Sequence, residues 1–191
     1  YQSRLPETTK LMVMVKAFSY GSGSFEVANI LQFNQVDYLA VAYADEGIAL
    51  RTSGITLPIM VMSPDIHSFG ALIEHDLEPE IFSVEHLQSL LEVLKSRSIT
   101  NFPVHLKIET GMNRLGLSAA EYARAQALME VSAALVRRHA EQTALLLPDG
   151  AELLIRPATV DDLDGVRQLH ARASAASRHS RYLGGTSGPS D

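Results

Sequence analysis

The stretch Leu11–Gly23 reads LMVMVKAFSYGSG, and it decides how we interpret the rest of the chain. Five apolar residues run directly into Lys16, and two glycines, Gly21 and Gly23, follow a few residues later. A continuous apolar run closed by glycines is typical of a strand buried on both faces, here about residues 11–17. Burial favours the neutral form of a lysine, so a lysine at the end of such a strand is a candidate nucleophile toward an aldehyde. The alternative is a lysine that ends the strand and extends its ammonium group to water.

Further apolar runs recur downstream of this stretch at regular intervals. The predicted strands begin near residues 11, 37, 57, 79 and 103, and segments with helical spacing separate them. Ser24 is the predicted N-cap of the first of these helices. This alternation indicates a parallel α/β sheet. Five βα units would make just over half of an eight-unit barrel. A doubly wound sheet is the alternative, and an open half-barrel would leave two unpaired sheet edges.

The pattern changes after residue 117. Ser118 and Glu121 form the S-x-x-E signature of a capping box, and we expect one long helix from Ser118 to about Arg138. Short apolar runs at 144–147 and 152–156, on either side of Pro-Asp-Gly, predict a β-hairpin. The Gly-, Ser- and Pro-rich tail is predicted to be disordered.

Composition sets broad limits on location and partners. The chain has 191 residues, of which 46% are hydrophobic, no cysteine, and a net charge of -6. We see no signal peptide and no run long enough to span a membrane, so we expect a cytoplasmic protein that does not act at membranes. The net charge gives no general attraction to nucleic acid. The seven histidines show no spacing typical of a metal site.

Two motifs resemble the signatures of one enzyme family. The segment VMVKAFSYGSG is similar to the cofactor-lysine motif of the alanine racemases, and HLKIETGMNRLGL, residues 105–117, is similar to their second signature. The match covers about residues 1–120 and is strongest to the racemase part of the ligase–racemase fusions of cell-wall synthesis. It implies a partial (β/α)8 barrel, pyridoxal 5'-phosphate (PLP) as cofactor, and interconversion of L- and D-alanine for peptidoglycan.

The resemblance assigns roles to residues of the first motif. It implies that Lys16 forms the covalent bond to PLP and acts as one of the two catalytic bases, and that Tyr20 binds the cofactor phosphate. The alternative for Tyr20 is an aromatic side chain packed on the barrel rim. The family usually has Asp or Asn at the position of Phe18 and His at the position of Ser22. The resemblance implies that the fusion-type branch shares both departures.

The second motif contributes three residues. The resemblance implies that Arg114 binds the substrate carboxylate beside the cofactor ring oxygen, and a guanidinium fork suits that task. It also implies that Met112 supplies a backbone contact to substrate, and that Lys107, whose counterpart is often carbamylated, orients Arg114. The alternatives are a surface arginine, and a strand lysine paired with an acid near Glu109.

The resemblance also implies that this chain alone is incomplete as a racemase. Racemisation needs a base on each face of the substrate Cα, and the family's second base is a tyrosine from a later domain of the partner subunit. We therefore expect a homodimer or other oligomer, formed through exposed barrel edges. Whether the chain itself is an enzyme stays open, and a non-catalytic chimera or assembly module is an alternative.

The second half of the chain resembles another family. Residues 144–185 are similar to the opening strand and helices of GNAT-type N-acetyltransferases, although that family's glycine-rich acetyl-CoA loop is absent. An acetyltransferase fragment is therefore a further alternative function. We divide the chain into a racemase-like barrel at 1–120, a linking helix at 121–143, a small α+β acetyltransferase-like segment at 144–185, and a tail at 186–191. All four lysines lie before residue 108, which agrees with a change of origin along the chain.

Overall fold

The computed structural model describes residue 5 and residues 9–138, 143–146 and 152–155. The strands are β1 (Lys10–Met14), β2 (Tyr38–Val41), β3 (Ile59–Val61), β4 (Leu77–Ile81), β5 (Phe102–Leu106), β6 (Val136–Arg138), β7 (Thr143–Leu146) and β8 (Glu152–Ile155). The helices are α1 (Ser24–Phe33), α2 (Ala44–Thr52), α3 (Phe69–Glu74), α4 (Val84–Ser96) and α5 (Ala119–Val131), with a 3-10 turn at Ile66–Ser68. Lys16–Tyr20 forms a separate left-handed turn.

The strands form a single sheet in the order β6-β5-β4-β3-β2-β1-β7-β8. Every pairing is parallel except the antiparallel β7–β8 hairpin. Each of the five predicted strands is present and begins within two residues of its predicted start. The sequential order of β1 to β6, with no reversal, confirms a partial barrel and excludes the doubly wound alternative.

The sheet is curled, and two observations show it. The rings of Tyr38 on β2 and His105 on β5 lie 6.0 Å apart in an edge-to-face arrangement, whereas strands three places apart in a flat sheet are separated by about 14 Å. Only residues 139–142 connect β6 to β7, which lie six places apart in the strand order. That connection spans at most about 18 Å, and a flat sheet would need about 29 Å.

The helices cover the outer face of the curled sheet. Strand residues such as Leu39, Ile59 and Leu77 form one buried cluster with apolar residues of every helix. The apolar side of α4 packs into this layer, where Leu87, Leu90, Leu91 and Leu94 are all buried. Burying a side chain of this size contributes about 1.5–3 kcal/mol, so this layer is the main source of stability.

The inner face divides into an apolar half and a charged half. Met12, Met14, Tyr38, Ala40 and Met60, from β1 to β3, form a second buried cluster without helical residues. On β4 and β5 the inward positions are instead Glu78, Glu80 and His105, and Lys107 directly follows β5. Glu78 pairs with His105, and Glu80 pairs with Lys107. Charged groups buried in a barrel interior need a reason other than packing, and this half is therefore a candidate site.

The prediction of a single long helix from Ser118 to Arg138 is wrong. The capping box of Ser118 and Glu121 is confirmed, but the helix ends at Val131 and the chain continues as β6, paired with β5. The residues after Val131 are compatible with a helix by sequence. Their pairing as β6 instead satisfies backbone groups of β5 that would otherwise form an open sheet edge. Ser24 is also not an N-cap: Gly23 occupies that position and Ser24 is the first helical residue.

Two open edges are present, as expected of a half-barrel, but in the described part of the chain they belong to β6 and β8 and not to β1 and β5. β6 pairs with β5 at one side and β7 pairs with β1 at the other. The predicted hairpin is present as β7 and β8, but β7 joins the barrel sheet instead of beginning a sheet of its own. Most of the acetyltransferase-like segment and the whole predicted tail lie outside the described residues. None of the helices in the described ranges has the length and apolar character needed to cross a bilayer.

Candidate functional site

Lys16 is presented by a strained turn at the C-terminal end of β1. The strand ends at Met14, earlier than predicted, and four consecutive residues after Lys16 have positive φ angles: Ala17 (52°), Phe18 (56°), Ser19 (49°) and Tyr20 (54°). The left-handed conformation costs about 1–2 kcal/mol per residue for L-amino acids. Strained backbone of this kind persists only where its surroundings hold it, and it is concentrated at functional sites.

Backbone hydrogen bonds close the left-handed turn. The N–H of Ser19 donates to the carbonyl oxygen of Val15 at 3.2 Å, and the N–H groups of Gly21 and Gly23 donate to that of Phe18 at 3.0 and 3.1 Å. Both glycines have φ near 90°, which explains the Gly-Ser-Gly of the motif. The turn therefore reverses the chain tightly enough for α1 to begin at Ser24.

The carboxylate of Glu46 ties this turn to the loop after β2. One oxygen accepts a hydrogen bond from the N–H of Ala17 at 2.7 Å. The other accepts from the N–H groups of Ala42 and Tyr43 at 2.7 and 3.1 Å. Sequence reasoning missed Glu46, whose only signal was an acid in the first turn of a helix that directly follows a strand.

The turn leaves Lys16 half-buried and Tyr20 51% exposed. Lys16 comes two residues after Met14, which lines the inner face, so the amine lies at the mouth of the barrel on the side where β1 ends. Apart from its two chain neighbours, no described residue has an atom within 4 Å of the position that a Cβ on Gly21 would take, so the described part of the chain leaves the space beside the turn open. Barrel enzymes place their catalytic groups at this C-terminal face.

Two buried pairs join β4 to β5 across the charged half of the inner face. Nε2 of His105 lies 2.7 Å from an oxygen of Glu78, and Nζ of Lys107 donates to Glu80 at 2.9 Å. Lys107 does pair with an acid, as the alternative reading held, but its partner is Glu80 on the neighbouring strand and not a residue near Glu109. The alternation LEPEI over β4 was the available signal, because it puts Glu78 and Glu80 on one face.

Burial raises the pKa of the Glu80 carboxyl group above its usual value of 4.5. The nearby charge of Lys107 and its hydrogen bond pull that pKa downward, as does the charge of Arg114. The same carboxylate is therefore under the influence of both basic residues from the second motif.

The loop that carries Met112 and Arg114 is closed at its base. The N–H of Leu117 donates to the carbonyl oxygen of Lys107 at 2.8 Å, and the N–H of Glu109 donates to that of Leu117 at 2.9 Å. Gly116 has φ 138°, and a Cβ there would lie 2.7 Å from the backbone nitrogen of Glu109. This closure fixes the loop at the end of β5, with Met112 45% exposed at its tip.

The predicted site residues fall into two groups at the same end of the sheet. Lys16 and Tyr20 follow β1, while Lys107, Met112 and Arg114 follow β5. Lys107 pairs directly with Glu80, and the charge of Arg114 lowers the pKa of the same carboxyl group. Because all of β1 to β5 are parallel and the sheet is curled, both groups border the same open end of the barrel.

The sequence matches the family model described as alanine racemase, N-terminal domain, over residues 1–181. An alanine racemase from Thermodesulfovibrio yellowstonii is 39% identical over 108 residues, which cover 56% of this chain and 29% of that protein. The chain spans about three tenths of the length of the curated relatives it matches.

Solved structures agree with this match. An alanine racemase of Clostridium difficile 630 is 35% identical, with a TM-score of 0.65, over 72% of this chain and 38% of that one. A structure of the C. difficile 630 enzyme in complex with cycloserine is 28% identical, with a TM-score of 0.66, over 93% of this chain and 48% of that one. The alanine racemase of Bartonella henselae, which holds covalently bound pyridoxal phosphate, shares the fold at 20% identity and a TM-score of 0.61, over 70% of this chain and 40% of that one.

The family match extends further along the chain than the two motifs. We expected it to end near residue 120, but the family model continues to residue 181 and includes most of the acetyltransferase-like segment. The comparisons give no support to the resemblance to N-acetyltransferases. The curled parallel sheet agrees with the match. The chain therefore belongs to the alanine racemase N-terminal domain family.

Proposed function

We propose that this chain forms the cofactor-lysine part of a PLP-dependent alanine racemase, which interconverts L- and D-alanine for peptidoglycan synthesis. The observation that carries the proposal is the left-handed turn that presents Lys16 at the C-terminal end of β1. A turn with four consecutive left-handed residues is held only at a net energetic cost, and presenting an amine at the barrel mouth is a use that accounts for it.

The residues at the barrel mouth fit PLP by their chemistry. Lys16 offers an amine for the aldehyde, and the hydroxyl of Tyr20, a residue that is 51% exposed, offers a donor for the phosphate. The described residues leave the space beside Gly21 open. When bound, PLP draws electrons away from the substrate Cα and so makes its proton removable. The fit rests on groups that this chain itself supplies.

Each remaining residue has a proposed task. The guanidinium of Arg114 binds the substrate carboxylate with two parallel hydrogen bonds, and Lys107 orients it from the end of β5. The backbone at Met112 contacts the substrate from the tip of the same loop. The Lys16 amine takes or returns the Cα proton on one face of the substrate.

The second face of Cα needs another base. We place that base in a part of the complete racemase beyond the residues described here, and we propose a homodimer in which a partner subunit supplies it. The edges of β1 and β5 are paired with β7 and β6, so a dimer through barrel edges would use those of β6 and β8, the terminal strands of the described sheet. The cytoplasmic location predicted from the sequence stays a prediction.

Reductive labelling tests the proposal directly. The chain is incubated with PLP, reduced with borohydride, and digested for mass spectrometry to find the pyridoxyl-modified lysine. We expect the label at Lys16, its loss in Lys16→Ala, and no change in Lys95→Ala, since Lys95 is exposed on α4. Label spread evenly over the four lysines, or persisting at wild-type yield in Lys16→Ala, would contradict the proposed role of Lys16.

A further inference from the structure

His86, in the first turn of α4, is a buried histidine that has no task in the proposed function. The residue is 4% exposed, and Nε2 of its ring lies 2.9 Å from the carbonyl oxygen of Pro64. Because a carbonyl oxygen can only accept, Nε2 carries a proton and donates this hydrogen bond. A neutral imidazole has a single N–H group, so Nδ1 is then unprotonated. The contact with Pro64 therefore selects one tautomer of the neutral ring.

The surroundings of the ring disfavour a second proton. Phe82 stacks on the His86 ring, with the ring centroids 4.2 Å apart and the planes at 22°, and the ring of Phe69 lies 4.9 Å away. Nδ1 is buried and has no hydrogen-bond partner among the described residues. Protonation would put a positive charge and an unpaired N–H group into this apolar space, which is unfavourable.

Burial lowers the pKa of His86 below its usual value of 6.5. The hydrogen bond to Pro64 and the charge of Asp65 act in the opposite direction, but their effects are smaller. The other titratable residues close to these contacts in sequence, His67 and Glu85, are exposed to solvent. The folded chain therefore binds this proton less tightly than the unfolded chain. The stability due to His86 is present above pH 6.5 and is lost as the pH falls below it.

The hydrogen bond between His86 and Pro64 joins two loops at the mouth of the barrel. Pro64 lies in the loop after β3, and α4 begins directly after β4, so both belong to the end of the sheet that carries the left-handed turn. The loop after β3 is also bonded toward that turn. The N–H of Ser63 donates to the carbonyl oxygen of Ala42 at 2.9 Å, and the N–H of Ala42 donates to Glu46, which holds the turn. His86 therefore fixes one end of a hydrogen-bonded rim around the barrel mouth.

We propose that His86 is an acid-sensitive positioning residue for this rim: its neutral ring holds the loop after β3 against α4, and protonation releases the loop. The step is the uptake of one proton at Nδ1, after which the ring leaves its apolar contacts for water and the hydrogen bond to Pro64 breaks. This response to pH is separate from the chemistry at Lys16 and does not rest on the proposed function.

Two substitutions separate the charge of His86 from its hydrogen bond. His86→Gln keeps a side-chain N–H donor of similar reach but cannot be protonated in this pH range, so the loop should stay closed in acid. His67→Gln is the matched control, because His67 is an exposed histidine in the same connection between β3 and α3. We expect this control to respond to acid as the wild type does.

Amide hydrogen exchange of the full chain without PLP measures the release of the loop. The reporter is the N–H of Ser63. The reference is the N–H of Leu39, which donates to the carbonyl oxygen of Pro58 at 2.9 Å near the N-terminal ends of β2 and β3. Each rate is compared with the intrinsic rate at the same pH. Uptake of one proton changes an opening equilibrium by at most about tenfold per pH unit, so between pH 7 and pH 5 we expect protection of Ser63 to fall on the order of tenfold. We expect this fall in the wild type and in His67→Gln, no fall in His86→Gln, and no change at Leu39.

NMR of the ring nitrogens in the wild-type chain is an independent test. We expect His86 to carry its proton on Nε2 at neutral pH and to stay neutral as the pH falls through 6.5. A proton on Nδ1, or a charged ring at neutral pH, would overturn the proposal. An acid response of Ser63 that persists in His86→Gln would also overturn it, and so would an equal loss of protection at Leu39, which would mean global unfolding. The NMR measurement needs no variant, so it decides the matter even if His86→Gln fails to fold.

Discussion

At the scale of single residues, the carboxylate of Glu46 shows how the strained turn is held. Its two oxygens accept three backbone hydrogen bonds, from Ala17 on the turn and from Ala42 and Tyr43 after β2. Charge-assisted hydrogen bonds of this type are among the stronger ones in proteins. The geometry of the Lys16 turn therefore depends on a residue 30 positions away in the sequence.

We expect Glu46→Gln to destabilise the chain by about 1–3 kcal/mol, because the amide NH2 of glutamine would face N–H donors and leave at least one without an acceptor. Denaturant unfolding measures this loss, and the yield of PLP labelling at Lys16 should fall with it. Asp45→Asn is the control, since Asp45 is an exposed acid in the same first helical turn, and we expect it to change stability by less than about 0.5 kcal/mol. Equal effects of the two substitutions would count against the role of Glu46.

Substitutions of Glu80 and of Lys107 should change the pH dependence of the free energy of unfolding in different ways. Burial raises the pKa of Glu80, so the folded chain binds the proton more tightly than the unfolded chain does. The stability due to this group is fully present below about pH 4.5, the usual pKa of a glutamate, and is lost as the pH rises through the pKa of the folded state. Glu80→Gln removes this dependence. As the pH is raised from acidic to neutral, the wild type should therefore lose free energy of unfolding relative to the variant.

Lys107→Met should make the free energy of unfolding depend more strongly on pH than it does in the wild type. It leaves a buried carboxylate without its nearest cation, which costs about 3–5 kcal/mol at neutral pH, and lowering the pH should recover part of this loss by protonating Glu80. Unfolding titrations of both variants between pH 4 and pH 8 measure the two slopes. Parallel pH profiles for the wild type, Glu80→Gln and Lys107→Met would show that Glu80 does not titrate in this range.

Sequence reasoning proposed the site residues that belong to motifs and missed the residues that depend on tertiary contacts. Lys16, Tyr20 and Arg114 were assigned because each lies in a recognisable local pattern. Glu46 and Glu80 were missed because their partners lie 29 and 27 residues away. Nothing local to either glutamate reports which backbone groups or cations the folded sheet brings beside it.

At the scale of elements, Arg51 joins three segments away from the candidate site. From the last turn of α2 its guanidinium donates to the carbonyl oxygens of Ile55 and Leu57, before β3, and of His75 and Asp76, before β4. These segments precede their strands, so Arg51 lies at the N-terminal end of the barrel. Residues at that end of a barrel serve stability and not catalysis.

We therefore expect Arg51→Lys to lower the free energy of unfolding by about 1–3 kcal/mol and to leave PLP labelling of Lys16 in the folded chain unchanged. A lysine ammonium is a single point of charge and does not reproduce a planar fork that reaches four carbonyl oxygens. Arg97→Lys is the control, because Arg97 makes an exposed pair with Glu74, and such pairs contribute about 0–1 kcal/mol. A labelling defect in folded Arg51→Lys would mean that the two ends of the barrel are coupled.

The elements themselves were predictable where periodicity was strong. The apolar runs predicted five strands, each of which begins within two residues of its predicted start. The left-handed turn and β6 were not predictable in this way. Positive φ angles in Ala17 to Tyr20 oppose local preference, and β6 forms because the edge of β5 provides backbone partners.

At the scale of the whole molecule, the curl of the sheet brings its two ends close together. The four-residue connection between β6 and β7 requires this, and the contact between Tyr38 and His105 agrees with it. As a result β7 pairs with β1, with Lys10–Val13 in register with Thr143–Leu146. A strand from the second half of the chain thus covers the edge of the strand that leads to Lys16.

We expect a chain that ends at residue 142 to self-associate, because removing β7 and β8 exposes the parallel edge of β1 to other chains. Size-exclusion chromatography with light scattering would show the larger species, and the free energy of unfolding should fall. A chain that ends at residue 184 is the control, since it keeps both strands, and we expect it to behave like the full chain. A stable monomer ending at residue 142 would show that β1 does not need this cover.

Amide hydrogen exchange tests the same pairing in the full chain, where misfolding of a truncated variant has no influence. Leu11 and Val15 donate their N–H groups on the β2 side of β1, to the Asp37 side chain and to the carbonyl oxygen of Ala40. N–H directions alternate along a strand, so the N–H of Met12 points toward β7. We expect the Met12 amide to exchange as slowly as that of Val15 in the full chain. Rapid exchange at Met12 in the full chain would mean that β7 leaves β1, and the barrel would then have an open edge beside the lysine.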